Sequence, residues 1–330
     1  MTVRFGLLGA GRIGKVHAKA VSANGDAKLV AVADPFAAAA NAIASAYGCE
    51  VRTIDTIESS ADIDAVVICT PTDTHADLIE RFARAGKAVF CEKPIDLDTA
   101  RVEACIDVVA KTKGKLMVGF NRRFDPHFMA VRKAIDDGKI GDVEMVTITS
   151  RDPGAPPVDY IKRSGGIFRD MTIHDFDMAR FLLGEEPVSV SATAAVLIDK
   201  AIGVAGDYDS VSVLLQTASG KQAMISNSRR ATYGYDQRIE IHGSKGMVAA
   251  ENQRPFSIEV ANGDGYTRPP LHDFFMTRYT EAYANEIAAF ISAVEKGTDI
   301  SPSGADGLAA LKLADAAVRS VKEGKLISVA

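Results

Sequence analysis

The 330-residue chain reads as an α/β protein. A doubly wound N-terminal domain is followed by an α+β domain with a large, mostly antiparallel open sheet. Three observations predict this. Over residues 1–122, wholly apolar runs alternate with helical stretches, as expected of parallel strands buried on both faces. Beyond that point apolar and polar residues begin to alternate with period two, the pattern of antiparallel strands with one polar face. At the first strand–helix junction lies a glycine-rich turn, Gly9-Ala10-Gly11-Arg12-Ile13-Gly14.

The elements follow in order. Residues 3–8 read as a strand, 13–21 as a helix, 28–33 as a strand and 36–47 as a helix stopped by Gly48. The run AVVIC at 65–69 is a buried strand, 74–85 a helix ended by Gly86, and 88–91 a strand. A helix to Lys113 and a strand over 116–120 complete the domain. A helix over 127–137 leads through the Gly138–Gly141 turn into 143–150. In 208–217, Val211, Val213 and Leu215 alternate with Ser210, Ser212 and Leu214, and Ser219-Gly220 turns the chain into 222–228 as a hairpin. Residues 237–242 alternate again before a turn at Gly243–Gly246, and helices over 274–295 and 305–323 close the chain. The domains are therefore 1–122 and 123–330. The last helices are free to pack back on the first domain.

Hydrophobic residues make up 47% and charged residues 25%, which excludes a disordered or fibrous chain. The net charge of −5, with no basic run, argues against a nucleic-acid partner. No apolar stretch approaches the ~18 residues of a membrane span. The apolar part of the N-terminal segment is one strand long before glycines interrupt it, unlike a secretory leader, so a cytoplasmic protein is expected. Cys49, Cys69, Cys91 and Cys105 form no CxxC pair, and neither disulfides nor a metal site is expected.

The glycine turn carries the first chemistry. Gly9 permits the tight turn, Gly11 lets backbone approach a pyrophosphate, and Gly14 lets the helix pack on the strand. The first-turn amides, at Arg12 and Ile13, are left to meet phosphate charge. Asp34 lies 20 positions beyond Gly14, at the end of the second strand. Its carboxylate suits ribose hydroxyls and would repel a 2′-phosphate, and Pro35 and Phe36 offer no cation, so NAD is expected rather than NADP. The alternative is a surface aspartate capping the next helix through Pro35.

Two clusters follow later strands, where open α/β sheets place ligands. One is Thr70-Pro71-Thr72-Asp73-Thr74-His75, in which His75 orients the loop; the other is Glu92-Lys93-Pro94. A lysine there can donate to a substrate hydroxyl and hold charge near a developing oxyanion, or simply be a solvated loop residue. A third cluster, Ser164 to Asp177, reads as one largely buried helix on which Asp170 and His174 are four apart and face the same way. That pair is either structural or a carboxylate supporting an imidazole base.

GAGRIG, Asp34, TPTDTH, EKP and GGIFRDMTIHDFD, in this order and spacing, resemble the Gfo/Idh/MocA family of NAD(P)-dependent oxidoreductases. The resemblance implies a Rossmann domain joined to a C-terminal α/β domain whose sheet forms subunit contacts, hence a homo-oligomer (tetramer or dimer). It assigns catalysis to Lys93, Asp170 and His174, and NAD contacts to Gly9–Gly14, Asp34, Thr70, Pro71, Thr72, His75, Glu92, Lys93 and Pro94, with the nicotinamide near Pro94. FNRRFD at 120–125, RDP at 151–153, the GGIFRDMTIHDFD segment and YGYD at 233–236 are most similar to the family's inositol-oxidising members. That likeness implies oxidation of myo-inositol at C2 to scyllo-inosose, with His174 as base. A polyol calls for convergent donors and acceptors, which Asn121, Arg122, Asp152, Asp170, His174 and Tyr235 supply together with Lys93. Arg123 competes with Arg122, and Tyr233 with Tyr235. The alternatives are scyllo- or chiro-inositol or an aldose as substrate, and a non-catalytic NAD(P)-sensing regulator.

Overall fold

The computed structural model describes residues 2–329. They divide into two compact units, residues 2–125 with 281–311, and residues 126–280 with 312–329. The first unit is built on six parallel strands: β1 (Val3–Leu8), β2 (Ala27–Ala33), β3 (Glu50–Val51), β4 (Ala65–Ile68), β5 (Ala88–Glu92) and β6 (Leu116–Gly119). Their order is β3-β2-β1-β4-β5-β6, so the winding reverses between β1 and β4, and the C-terminal ends of those two strands form the switch point where such sheets hold ligands. Helices α1 (Arg12–Ala23), α2 (Ala37–Tyr47), α3 (Ile54–Ser59), α4 (His75–Arg84) and α5 (Thr99–Lys111) connect them. Burial on both faces explains strands without alternation: every residue of β4 and β6 is buried. The core over β1, β4 and β5 also receives Ile287, Phe290 and Ile291 from the helix over Thr280–Lys296, with Phe290 packed against Phe5 and Phe90.

The second unit carries a seven-stranded sheet of β7 (Val143–Arg151), β8 (Pro187–Ala195), β9 (Ser210–Thr217), β10 (Gln222–Ser228), β11 (Asp236–Gly243), β12 (Gly246–Ala250) and, after a hairpin of β13 (Val260–Asn262) and β14 (Gly265–Thr267), β15 (Ile327–Ser328). The order is β12-β11-β7-β10-β9-β8-β15, antiparallel throughout except where β10 lies parallel to β7. The alternation read from the sequence is real: Val211, Val213 and Leu215 are buried, while Ser212 and Leu214 face outward. Strand β8 was not anticipated, although its PVSVSATAA alternates in the same way.

Helices α6 (Pro126–Asp136), α7 (Val158–Ile161), α8 (Ile167–Asp170), α9 (Ile173–Leu183), α10 (Lys200–Val204), α11 (Phe275–Arg278), α12 (Thr280–Lys296) and α13 (Gly304–Glu323) complete the chain. Two expected helices prove to be broken. The stretch 274–295 divides at Tyr279, whose buried ring stands edge-on to Phe128 and Tyr235. The stretch around 164–182 divides into α8 and α9 at Met171-Thr172. There Thr172 N–H reaches back five residues to Ile167 O and His174 N–H only three, to Met171 O, in place of the regular ladder. Asp170 therefore ends one helix and His174 lies in the first turn of the next, and the expected shared helical face does not exist. Among the described residues no helix is long and apolar enough to cross a membrane.

Candidate active site

The glycine turn has the geometry its spacing demands. Gly9 has a φ of +95°, and a Cβ there would lie 2.6 Å from Cys69 O on the neighbouring strand end. A Cβ on Gly14 would fall 2.0 Å from Gly9 O, so only hydrogen lets α1 pack this closely on β1. A Cβ on Gly11 would meet nothing within 4 Å, and no side chain caps α1. Open space above Gly11, at the N-terminus of α1, fits a dinucleotide pyrophosphate. Asp34 closes the turn: its Oδ2 accepts from Ala10 N at 2.6 Å and its Oδ1 from Phe36 N at 2.7 Å. Each oxygen keeps a second lone pair for a ribose hydroxyl. Phe36 occupies the cap position of α2, and Asp34 reaches the start of that helix through its bond to Phe36 N.

His75 is buried and ties two of the predicted loops together, its Nδ1 lying 2.8 Å from Pro94 O and its Nε2 2.8 Å from Thr70 O. Thr74 Oγ1 lies 2.6 Å from Thr70 Oγ1 and donates to Pro71 O, shaping the turn that includes Thr72. Glu92 is held from behind: Oε1 lies 2.6 Å from Nε2 of buried His17 on α1, and a Cβ on Gly119 would come within 3.1 Å of Oε2. Sequence reasoning missed His17; its signal was an imidazole on the inward face of the dinucleotide helix. Lys93 is half-buried, and Asn121 and Arg122 are buried in the turn after β6. Arg123 lies 2.9 Å from Asp306, whose carboxyl burial would raise; the attraction of Arg123 and bonds from Ser303 outweigh that and lower it to about 2.

In the second unit, residues at and just beyond the end of β10 bond to the segments that carry Asp152, Asp170 and His174. Asn227 bonds to Thr172 and Asp175, on either side of His174. Ser228 O accepts from Asp152 N, and Arg229, itself buried, places NH1 3.4 Å from Asp170 Oδ2. Tyr160 donates to Asp170 Oδ1 at 2.8 Å. Arg229 also approaches Asp207, which accepts from Ile167 N and so fixes the start of α8. Tyr160, Asn227 and Arg229 were not read from the sequence, because nothing local marks a residue whose partner is 10 to 59 positions away. The tyrosines separate cleanly. Tyr233 is 50% exposed and donates to Asp236, whereas Tyr235 is 5% exposed and packs against Tyr279 inside the unit.

Comparison with known proteins agrees with this architecture. A model of the oxidoreductase family with an NAD-binding Rossmann fold matches residues 3–120, and a model of the GFO/IDH/MocA C-terminal domain matches residues 128–249. The chain belongs to the Gfo/Idh/MocA family of oxidoreductases. It is an oxidoreductase that uses NAD. It is 86% identical, over the whole of both chains, to the inositol 2-dehydrogenase of Rhizobium meliloti (strain 1021). A solved myo-inositol dehydrogenase from Corynebacterium glutamicum matches with a TM-score of 0.97 and 45% identity, over 100% of this chain and 99% of that one. The scyllo-inositol dehydrogenase of Lactobacillus casei, solved with NAD(H) and scyllo-inositol bound, matches with a TM-score of 0.93 and 33% identity over 100% and 99% of the two chains.

Proposed function

We propose that this oxidoreductase oxidises myo-inositol at C2 to scyllo-inosose (2-keto-myo-inositol). The full-length 86% identity to a protein named inositol 2-dehydrogenase is the observation that carries the substrate. NAD at the glycine turn accepts the hydride that leaves C2. His174 removes the proton of the C2 hydroxyl, whose electron pair becomes the second bond of the ketone. Asp170, steadied by Tyr160 and Arg229, supports the protonated imidazole, and Lys93 donates to the reacting oxygen. Asn121, Arg122, Asp152 and Tyr235 contact the remaining hydroxyls. Arg123 is paired with Asp306 and Tyr233 with Asp236.

Initial rates of NADH formation test the reading, with NAD⁺ and NADP⁺ across myo-, scyllo- and chiro-inositol and glucose. The highest rate is expected with myo-inositol and NAD⁺. A faster rate with scyllo-inositol, the ligand named for the Lactobacillus casei relative, would reassign the substrate, and no rate with any polyol would favour an NAD(P)-sensing regulator. The reading includes a cytoplasmic location and a homo-oligomer, tetramer or dimer. The outward sheet face supports the oligomer, since Met145, Leu214, Met224 and Met247 stand exposed among polar neighbours. A monomeric mass in solution would contradict it.

A further inference from the structure

The inner face of the second sheet changes character along its strands. Across β11, β7 and β10 the register aligns Ile241 with Val146 and Ala223, then Ile239 with Ile148 and Ile225. The next inward row is Gln237, Ser150 and Asn227, all buried. Apolar side chains would pack a helix there without any desolvation cost. A buried polar row costs free energy unless every member is paired, and what it provides in return is direction.

The pairing goes to the segment that carries His174. Thr172 Oγ1 donates to Asn227 Oδ1 at 2.6 Å, and Asn227 Nδ2 donates to Asp175 Oδ2 at 2.8 Å. The opposite oxygen of Asp175 lies 2.7 Å from Ser150 Oγ, which also lies 3.0 Å from Gln237 Oε1. The carboxylate accepts only, so it fixes which end of the Asn227 amide faces it, and the carbonyl end is left to take the Thr172 hydroxyl. Thr172 and Asp175 are fully buried and flank His174, which projects from the interrupted turn between them.

We propose that Asn227 is the positioning residue for His174. One amide grips the chain two residues before the imidazole and one residue after it, and so sets the backbone from which that side chain extends. This rests on the reading of His174 as the base. It explains why the helix breaks at Met171-Thr172: the polar row holds Thr172 and Asp175 where the regular helical ladder gives way.

The test is a matched pair, Thr172→Val, which keeps the shape and removes the hydroxyl, and Thr172→Ser, which restores it. With myo-inositol and NAD⁺, Thr172→Val is expected to lower kcat about 10-fold, to leave KM for NAD⁺ within about 2-fold, and to displace the pH profile of kcat. Thr172→Ser is expected to recover kcat to within about 2-fold. Asn227→Leu should lose more, but it leaves Asp175 short of a partner and can fail to fold, so the threonine pair decides. In a His174→Gln background Thr172→Val should cost nothing further. Unchanged kcat in Thr172→Val, equal losses in the Ser and Val variants, or the same loss without the histidine would overturn the positioning role and leave the base assignment standing. Wild-type turnover in His174→Gln alone would overturn the base assignment, and this proposal with it.

Discussion

The two units fix their functional groups by different means. In the first, position is a property of backbone. Gly9, Gly14 and Asp34 act through left-handed φ, close approach and amide bonds spanning at most 24 residues, and they sit at the ends of strands whose order already marks a switch point. In the second, position is a property of side chains remote in sequence. His174 and Asp170 lie on different helices; Asn227 on β10 bonds to Thr172 and Asp175, and Arg229 just beyond it pairs with Asp170. A backbone-encoded site can be read from spacing; one encoded by a buried polar row cannot.

Substitutions can break or sharpen that contrast. The largest effect belongs to His174→Ala, expected to lower kcat by about 10²- to 10⁴-fold while NAD⁺ affinity, by calorimetry, stays near that of the unaltered protein. Comparable loss of NAD⁺ binding would show that the second unit's imidazole also serves the nucleotide. Gly14→Ala should do the reverse. With a methyl 2.0 Å from Gly9 O the turn must shift, and kcat/KM for NAD⁺ should fall on the order of 10²-fold. Unaltered NAD⁺ kinetics would show that the turn only packs. Tyr160→Phe removes one donor from the Asp170 carboxylate and should reduce kcat about 10-fold, with NAD⁺ affinity unchanged in fluorescence titration.

Asp306→Asn should have the smallest effect on activity and a clear one on stability. Its carboxyl lies at about 2 in the folded protein against an ordinary 3.8, so the pair with Arg123 stabilises the fold above pH 3.8 and that contribution fades as pH falls toward 2. The variant should lose about 2 kcal/mol at neutral pH in urea unfolding, show a flatter decline in acid, and keep KM for polyol. A raised polyol KM would return Arg123 to the substrate contacts.

The legible part of the molecule follows the same division. The alternation of buried strands and helices, the glycine turn and Asp34 were readable because each is local and each has one stereochemical solution. The hairpin of β9 and β10 was readable for the same reason. The segment from Ser164 to Asp177 was misread as one helix, since apolar spacing alone cannot show that Thr172 and Asp175 will be held by Asn227, 52 to 55 residues later. Tyr279 interrupts the C-terminal helix for a similar reason, its ring being claimed by Phe128 and Tyr235.

The amino-acid order by itself settled the class of fold and the geometry of the glycine turn, and it raised the expectation of a carboxylate for a ribose, because φ, strand period and charge are properties of neighbouring residues. Only tertiary structure decided that Asp34 braces the glycine turn, that Arg123 is bound to Asp306, that Tyr233 and Tyr235 part company, and that His174 lies on a different helix from Asp170. Those outcomes depend on which buried polar groups find one another after collapse, and a buried donor or acceptor takes its partner from whatever the folded chain brings near, however distant in sequence.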